Sequence, residues 1–209
     1  MNAPARPPAP AAETQKILDH YRARIEAARV YDVACISSLD EASRLSQRLG
    51  NRVLLKREDE QAVHSFKLRG AYNRIAQLSD EERARGVVTA SAGNHAQGVA
   101  LAAKKFGLTA WIVMPRTTPG VKVDAVRALG GKAILHGDAY DDAREHAYAL
   151  AAEKGMTMVH PYDDPDVIAG QGTIGRELLQ QCAELDTALD YVFVPVGGGG
   201  LLAGVAAYI

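Results

Sequence analysis

The stretch Val87-Val88-Thr89-Ala90-Ser91-Ala92-Gly93-Asn94-His95-Ala96-Gln97-Gly98 decides the fold. Four apolar or β-branched residues come first, bounded by small and polar ones, which marks a short buried strand. The run from Asn94 to Phe106 is rich in small residues at helical spacing and closes at Gly107, where glycine tolerates a left-handed stop. Thr109 to Met114 is apolar again and reads as a second strand.

Outward from this unit the alternation continues. Val121 to Leu129 is predicted as a helix ending at Gly130-Gly131, Ala133 to Leu135 as a strand, and Tyr140 to Lys154 as a helix ending at Gly155. Thr157 to His160 reads as a strand, Asp166 to Cys182 as a helix, Tyr191 to Val196 as a strand, and Leu201 to Ile209 as a helix. Upstream, Thr14 to Arg29 is an amphipathic helix, Ser38 caps a helix over Leu39 to Leu49 that stops at Gly50, and Val53 to Arg57 is a strand. Ala71 to Leu78 has helical period, and Ser79-Asp80-Glu81-Glu82 opens a short capped helix. Strands that are apolar throughout, separated by helices and short turns, specify an α/β fold: open, mostly parallel sheets with helices on both faces. Ligands of such sheets sit at the carboxyl ends of the strands.

Composition narrows the classes. The 209 residues are 47% hydrophobic and 23% charged with a net charge of −1, so a nucleic-acid footprint is not expected. Cys35 and Cys182 stand far apart with no zinc-type spacing, which suits free thiols in a reducing cytoplasm. The histidines form no HExxH pair, so no metal is expected, and no apolar run is long enough to span a membrane. Residues 1–13, almost only alanine and proline at first, read as a disordered tail rather than a signal peptide. The last helix is apolar nearly all round and wants cover on every side, so the chain reads as cut short.

Three turns carry candidate chemistry. In Val63-His64-Ser65-Phe66-Lys67-Leu68-Arg69-Gly70-Ala71, Lys67 falls in the first turn of a helix, where the macrodipole opposes a cation and favours a neutral, nucleophilic amine. Pro195-Val196-Gly197-Gly198-Gly199-Gly200-Leu201 is a strand, a glycine loop and a helix start, a ready cradle for phosphate. It is not a Walker A loop; Gly198-x-Gly200-x-x-Ala203 matches the dinucleotide fingerprint only loosely. Ser91 and the backbone after it can hold a carboxylate, and Asn94 can donate to a ring oxygen or cap its helix. His95 reads equally as a structural histidine. Gly170 and Gly172, inside a helical pattern, ask for close approach of another element or a ligand.

A nucleophilic amine, a phosphate cradle and a carboxylate-binding turn, all at strand ends, suggest pyridoxal phosphate held on a lysine. With Lys56-Arg57-Glu58-Asp59 and Val167-Ile168-Ala169-Gly170-Gln171-Gly172-Thr173, these motifs stand in the order and spacing of a known family. The chain resembles the fold-type II pyridoxal-phosphate enzymes (tryptophan synthase β-like), most closely the biosynthetic threonine dehydratases, from about Val30 to its last residue. The resemblance implies a two-lobed fold, C-terminally truncated here: residues 14–63 plus 170–209 in a large cofactor lobe, incomplete, and 64–169 in a small lobe.

By position, the resemblance makes Lys67 the lysine in Schiff-base linkage with the cofactor. Gly197, Gly198, Gly199, Gly200 and Leu201 then hold the cofactor phosphate, and Asn94 the ring hydroxyl. Ser91, Gly93 and His95 lie along the substrate carboxylate. A Ser or Thr opposite the pyridine nitrogen is expected from a later part of the catalytic domain, beyond Ile209. The implied activity is deamination of L-threonine to 2-oxobutanoate and ammonia in isoleucine biosynthesis, with L-serine weaker, by a cytoplasmic enzyme that is a homo-oligomer when full length. Serine racemase-like and cysteine-synthase-like activities are alternatives on the same scaffold, and a non-catalytic fragment is another.

Overall fold

A computed structural model describes residues 11–209. Most of the predicted tail therefore lies outside the described residues, and its last two positions, Ala12 and Glu13, already belong to the first helix, α1 (Ala12–Glu26). That helix ends three residues earlier than its periodicity suggests, because the Arg29 backbone N–H is taken by the Asn73 side chain at 2.8 Å. Strand β1 (Leu39–Glu41) and helix α2 (Ser43–Leu49) follow, then β2 (Leu54–Lys56) and a single 3-10 turn (Glu58–Glu60).

The single helix expected over 39–49 is thus a strand and a shorter helix. Leu39, Asp40 and Glu41 pair antiparallel with Lys56, Leu55 and Leu54, so a tertiary ladder overrides a helical pattern. Ser38 is not a cap. Its backbone N–H and its hydroxyl both donate to the Glu60 carboxylate, each at 2.8 Å. Gly50 ends α2 in the left-handed region at φ 59°, as its position predicts.

Next come α3 (Lys67–Ala76) and α4 (Asp80–Arg85), the latter opened by a reciprocal capping box between Ser79 and Glu82. The regular alternation runs β3 (Val87–Ala90), α5 (Asn94–Phe106), β4 (Ala110–Met114), α6 (Gly120–Ala128), β5 (Lys132–Leu135), α7 (Tyr140–Lys154) and β6 (Thr157–Met158). The chain closes with α8 (Pro165–Glu184) and α9 (Gly200–Tyr208).

Strands β3 to β6 form one parallel sheet in the order β5-β4-β3-β6. Its two faces are filled by alternate residues of the same strands. Val87, Ile112 and Met114 pack with Ala96, Val99, Ala100 and Ala103 of α5 on one side. Val88, Ala90 and Val113 pack with Ala143, Ala147 and Leu150 of α7 on the other. Double coverage explains why the strands lack an apolar–polar alternation. The chain builds outward from β3 to β5 and then crosses back through α7 to lay β6 on the far side of β3. That reversal creates a crevice at the carboxyl ends of β3 and β6, where such folds bind ligands.

Residues 191–196, expected as a strand, bond to no strand among the described residues, so they form no sheet. The glycines of α8 serve close helix contacts. A Cβ on Gly170 would stand 2.6 Å from the Gly70 Cα, and one on Gly172 would stand 3.0 Å from the Gly204 carbonyl oxygen. Helix α9 packs on α8 and α1 by one side, burying Gly204 and Val205, while Leu202 stays exposed.

Candidate active site

Lys67 is the first residue of α3, and its backbone N–H donates to Ser65 Oγ at 3.3 Å. Its amine donates to the Pro161 carbonyl at 2.6 Å and lies 5.5 Å from the centre of the Phe66 ring. Pro161 follows β6, so the amine sits at the crevice the topology predicts. Burial holds the Lys67 pKa below the usual lysine range, because desolvation penalises the ammonium. The neutral amine that the macrodipole argument asks for is therefore also favoured by burial.

Phe66, Lys67 and Tyr162 face Pro195 to Leu201 across a cavity of about 300 Å³. The structure thus brings the lysine and all four glycines together. Gly199 has φ 88° and precedes α9, whose first-turn N–H groups have no acceptor within the helix. A Cβ on Gly197 or Gly199 would meet nothing within 4 Å, so the loop is open on that side. On its other side it rests on Tyr162: a Cβ on Gly200 would lie 2.5 Å from the Tyr162 carbonyl oxygen, and one on Gly198 would collide with the Tyr162 ring. A second groove of about 330 Å³, lined by Leu189 to Val192, Val194 and α9, is mainly apolar and contains no lysine, cysteine or histidine.

The β3–α5 turn forms the neighbouring wall. Ser91 is buried, and its Oγ accepts the Gly93 N–H at 3.2 Å, which leaves the Ser91 hydroxyl proton to donate elsewhere. Asn94 is the first residue of α5 and its side chain is exposed. His95 is 3% exposed and donates from Nε2 to the Val159 carbonyl at 3.0 Å, while its Nδ1 has no partner among the described residues. Burial first, and the Lys67 charge as a smaller influence, push the His95 pKa to about 3, so the imidazole is neutral. Thr89 Oγ1 donates to the same Val159 carbonyl at 2.8 Å, tying β3 to β6 beneath the crevice. Ser91, Asn94 and His95 do not line the cavity shared by Lys67 and the glycines.

Two features escaped sequence reasoning. One is the double contact that the turn Pro161-Tyr162-Asp163-Asp164-Pro165, legible in sequence only as a turn before a helix start, makes with Lys67 and the glycine loop. The other is a buried charge cluster. Arg69 donates to Glu177 at 2.6 Å and to Glu58 at 2.7 Å, and Lys56 lies 2.6 Å from Glu177. The charged tip of the β2 strand was its only trace in the sequence.

An open α/β sheet with a lysine at its switch point, facing a glycine-rich helix start, defines a class of cofactor-dependent enzyme. The chain belongs to the pyridoxal-phosphate dependent enzyme family, whose model matches residues 36–209. It is 57% identical over 189 residues to a biosynthetic L-threonine dehydratase of Pasteurella multocida, covering 90% of this chain and 36% of that protein. A threonine dehydratase of Nicotiana attenuata is 58% identical, with 91% and 31% covered. Among solved structures, the processed form of threonine deaminase isoform 2 from Solanum lycopersicum superposes with a TM-score of 0.87 at 51% identity, covering 97% of this chain and 54% of that one. Maize serine racemase gives 0.80 at 36% identity, covering 92% and 56%. The fold is that of the fold-type II enzymes, and the chain spans about a third of the length of these curated relatives.

Proposed function

We propose that this chain carries the lysine and phosphate-binding part of a threonine ammonia-lyase, which deaminates L-threonine to 2-oxobutanoate and ammonia and L-serine more weakly. The observation that carries the reading is the desolvated Lys67 amine facing four glycines across one cavity. The names of these two relatives support the substrate.

The residues fit pyridoxal phosphate. The loop offers backbone N–H groups and a helix N-terminus to a phosphate, with open space at Gly197 and Gly199, and Lys67 offers an amine to an aldehyde. When bound, the cofactor supplies an electron sink for the carbanion formed at the substrate Cα. Lys67 removes the proton from that Cα, a role suited to an amine whose pKa burial lowers and which the Pro161 carbonyl steadies. Gly197, Gly198, Gly199, Gly200 and Leu201 hold the phosphate, and Asn94 the ring hydroxyl. Ser91 donates its hydroxyl proton to the substrate carboxylate beside Gly93. His95, neutral and bonded to Val159, lines this wall without adding charge.

The likeness to maize serine racemase favours a second reading, racemisation of serine. A product assay separates the two in the protein reconstituted with pyridoxal phosphate: 2-oxobutanoate from threonine supports the first, and D-serine without it supports the second. The cytoplasmic, homo-oligomeric enzyme and the two-lobed division at residues 64 and 170 belong to the same reading. Among the described residues no helix is long and apolar enough to cross a membrane.

A further inference from the structure

We propose that His160 is a positioning residue whose Nδ1 lone pair holds the Pro161–Tyr162 turn on which both Lys67 and the glycine loop rest. The inference depends on the proposed function only for its consequence in cofactor binding; the contacts themselves are independent of it.

His160 Nδ1 accepts the backbone N–H of Asp163 at 2.7 Å and that of Tyr162 at 3.3 Å. Both donors are fixed amides, so Nδ1 must carry a lone pair, and the imidazole must be the neutral Nε2–H form. The same ring meets Tyr162 edge-on, with centroids 4.6 Å apart. From this one turn, contacts fan out to two working parts. The Pro161 carbonyl accepts the Lys67 amine at 2.6 Å. The Tyr162 ring and carbonyl form the surface beneath Gly198 and Gly200, close enough that neither glycine has room for a Cβ.

The geometry is that of a side chain capping its own turn, with an imidazole where Asn or Asp would serve. Protonation at Nδ1 would set an N–H against two N–H groups and release the turn. The groups that bear on this titration are Asp163 and Asp164, which favour the cation, and Lys67 and Arg144, which oppose it; burial is the largest influence and pushes the value down. Tyr162 and Phe66 complete the cavity side without charge. The hold is therefore complete above the ordinary imidazole value of 6.5 and weakens as pH falls below it.

Two variants and one pH series test this in the 209-residue chain. His160→Phe keeps a ring against Tyr162 but has no lone pair, while His160→Asn places an oxygen where Nδ1 accepts. Amide hydrogen exchange, corrected for its intrinsic pH dependence, is read over 161–164 and 197–200, and pyridoxal-phosphate affinity is read by absorbance titration. Expected in His160→Phe is loss of protection in both segments and about tenfold weaker cofactor binding, since two backbone hydrogen bonds are at stake. His160→Asn restores both and, having no titratable group there, removes the loosening expected of wild type as pH falls below 6.5. Wild-type protection in His160→Phe, or equal loss in both variants despite native circular dichroism, overturns the proposal. If wild type binds no cofactor while the exchange pattern follows expectation, the proposed function fails and the positioning role stands.

Discussion

At Lys67 two influences act in one direction. The helix start opposes a cation and burial opposes it further, with a carbonyl rather than a carboxylate against the amine. Reduction with borohydride in the presence of pyridoxal phosphate is expected to label Lys67 in wild type, and Lys67→Ala is expected to lose both the label and the visible absorbance of bound cofactor. Peptide mapping checks this, and labelling at another lysine would overturn the assignment. His95 allows a second check, by nitrogen-15 NMR of the imidazoles. With its pKa pushed to about 3, it should stay neutral from pH 8 to 5 with the proton on Nε2, whereas an exposed histidine titrates near 6.5. Because the folded value is depressed, its contribution to stability is present above 6.5 and is lost as pH falls toward 3. Lys67 was legible from its neighbours in sequence, but its partner Pro161 lies 94 positions away, and no local pattern announces such a contact.

Elements with strong periodicity and a stop residue were legible almost to the residue. Asn94–Phe106 with Gly107 and Tyr140–Lys154 with Gly155 are helices closed by left-handed glycines, as their sequences predict. Leu39–Glu41 was not, since three residues carry too little pattern to compete with a partner strand that only the fold supplies. The request for close approach at Gly170 and Gly172 proved to be helix against helix. Gly170→Ala would press a methyl onto the backbone of Arg69 and Gly70 at 2.6–2.8 Å, where no flexible side chain can give way. The expected destabilisation is about 1–3 kcal/mol, typical of overpacking. Gly120→Ala, at the start of α6 with nothing within 4 Å, should instead be neutral or add about 0.5–1 kcal/mol. Urea midpoints of the two variants check the contrast, and equal midpoints would refute the packing argument.

Across the whole molecule, the β2 end, α3 and α8 meet at one buried charge cluster just below the lysine. Arg69 is wholly buried and Glu177 nearly so, and they are joined by Glu58, Lys56, Thr173 and the Tyr31 hydroxyl. Burial alone would raise the Glu177 pKa, but Arg69 and Lys56 outweigh it and hold the carboxyl below its ordinary range. Such a cluster adds little over a well-packed apolar core, yet losing one member strands the others. Glu177→Gln removes the negative charge facing both cations while nearly preserving volume, and about 3 kcal/mol of stability is expected to go with it at pH 7. The pH profile gives the sharper test. A depressed carboxyl stabilises the fold above its ordinary value of 4.5 and ceases to as pH falls through the folded value. The wild-type urea midpoint should therefore drop as pH falls below about 4.5, where the variant, already without this charge, should drop less. Parallel profiles would mean that Glu177 is not the group through which acid loosens α8 from the helix that begins at Lys67.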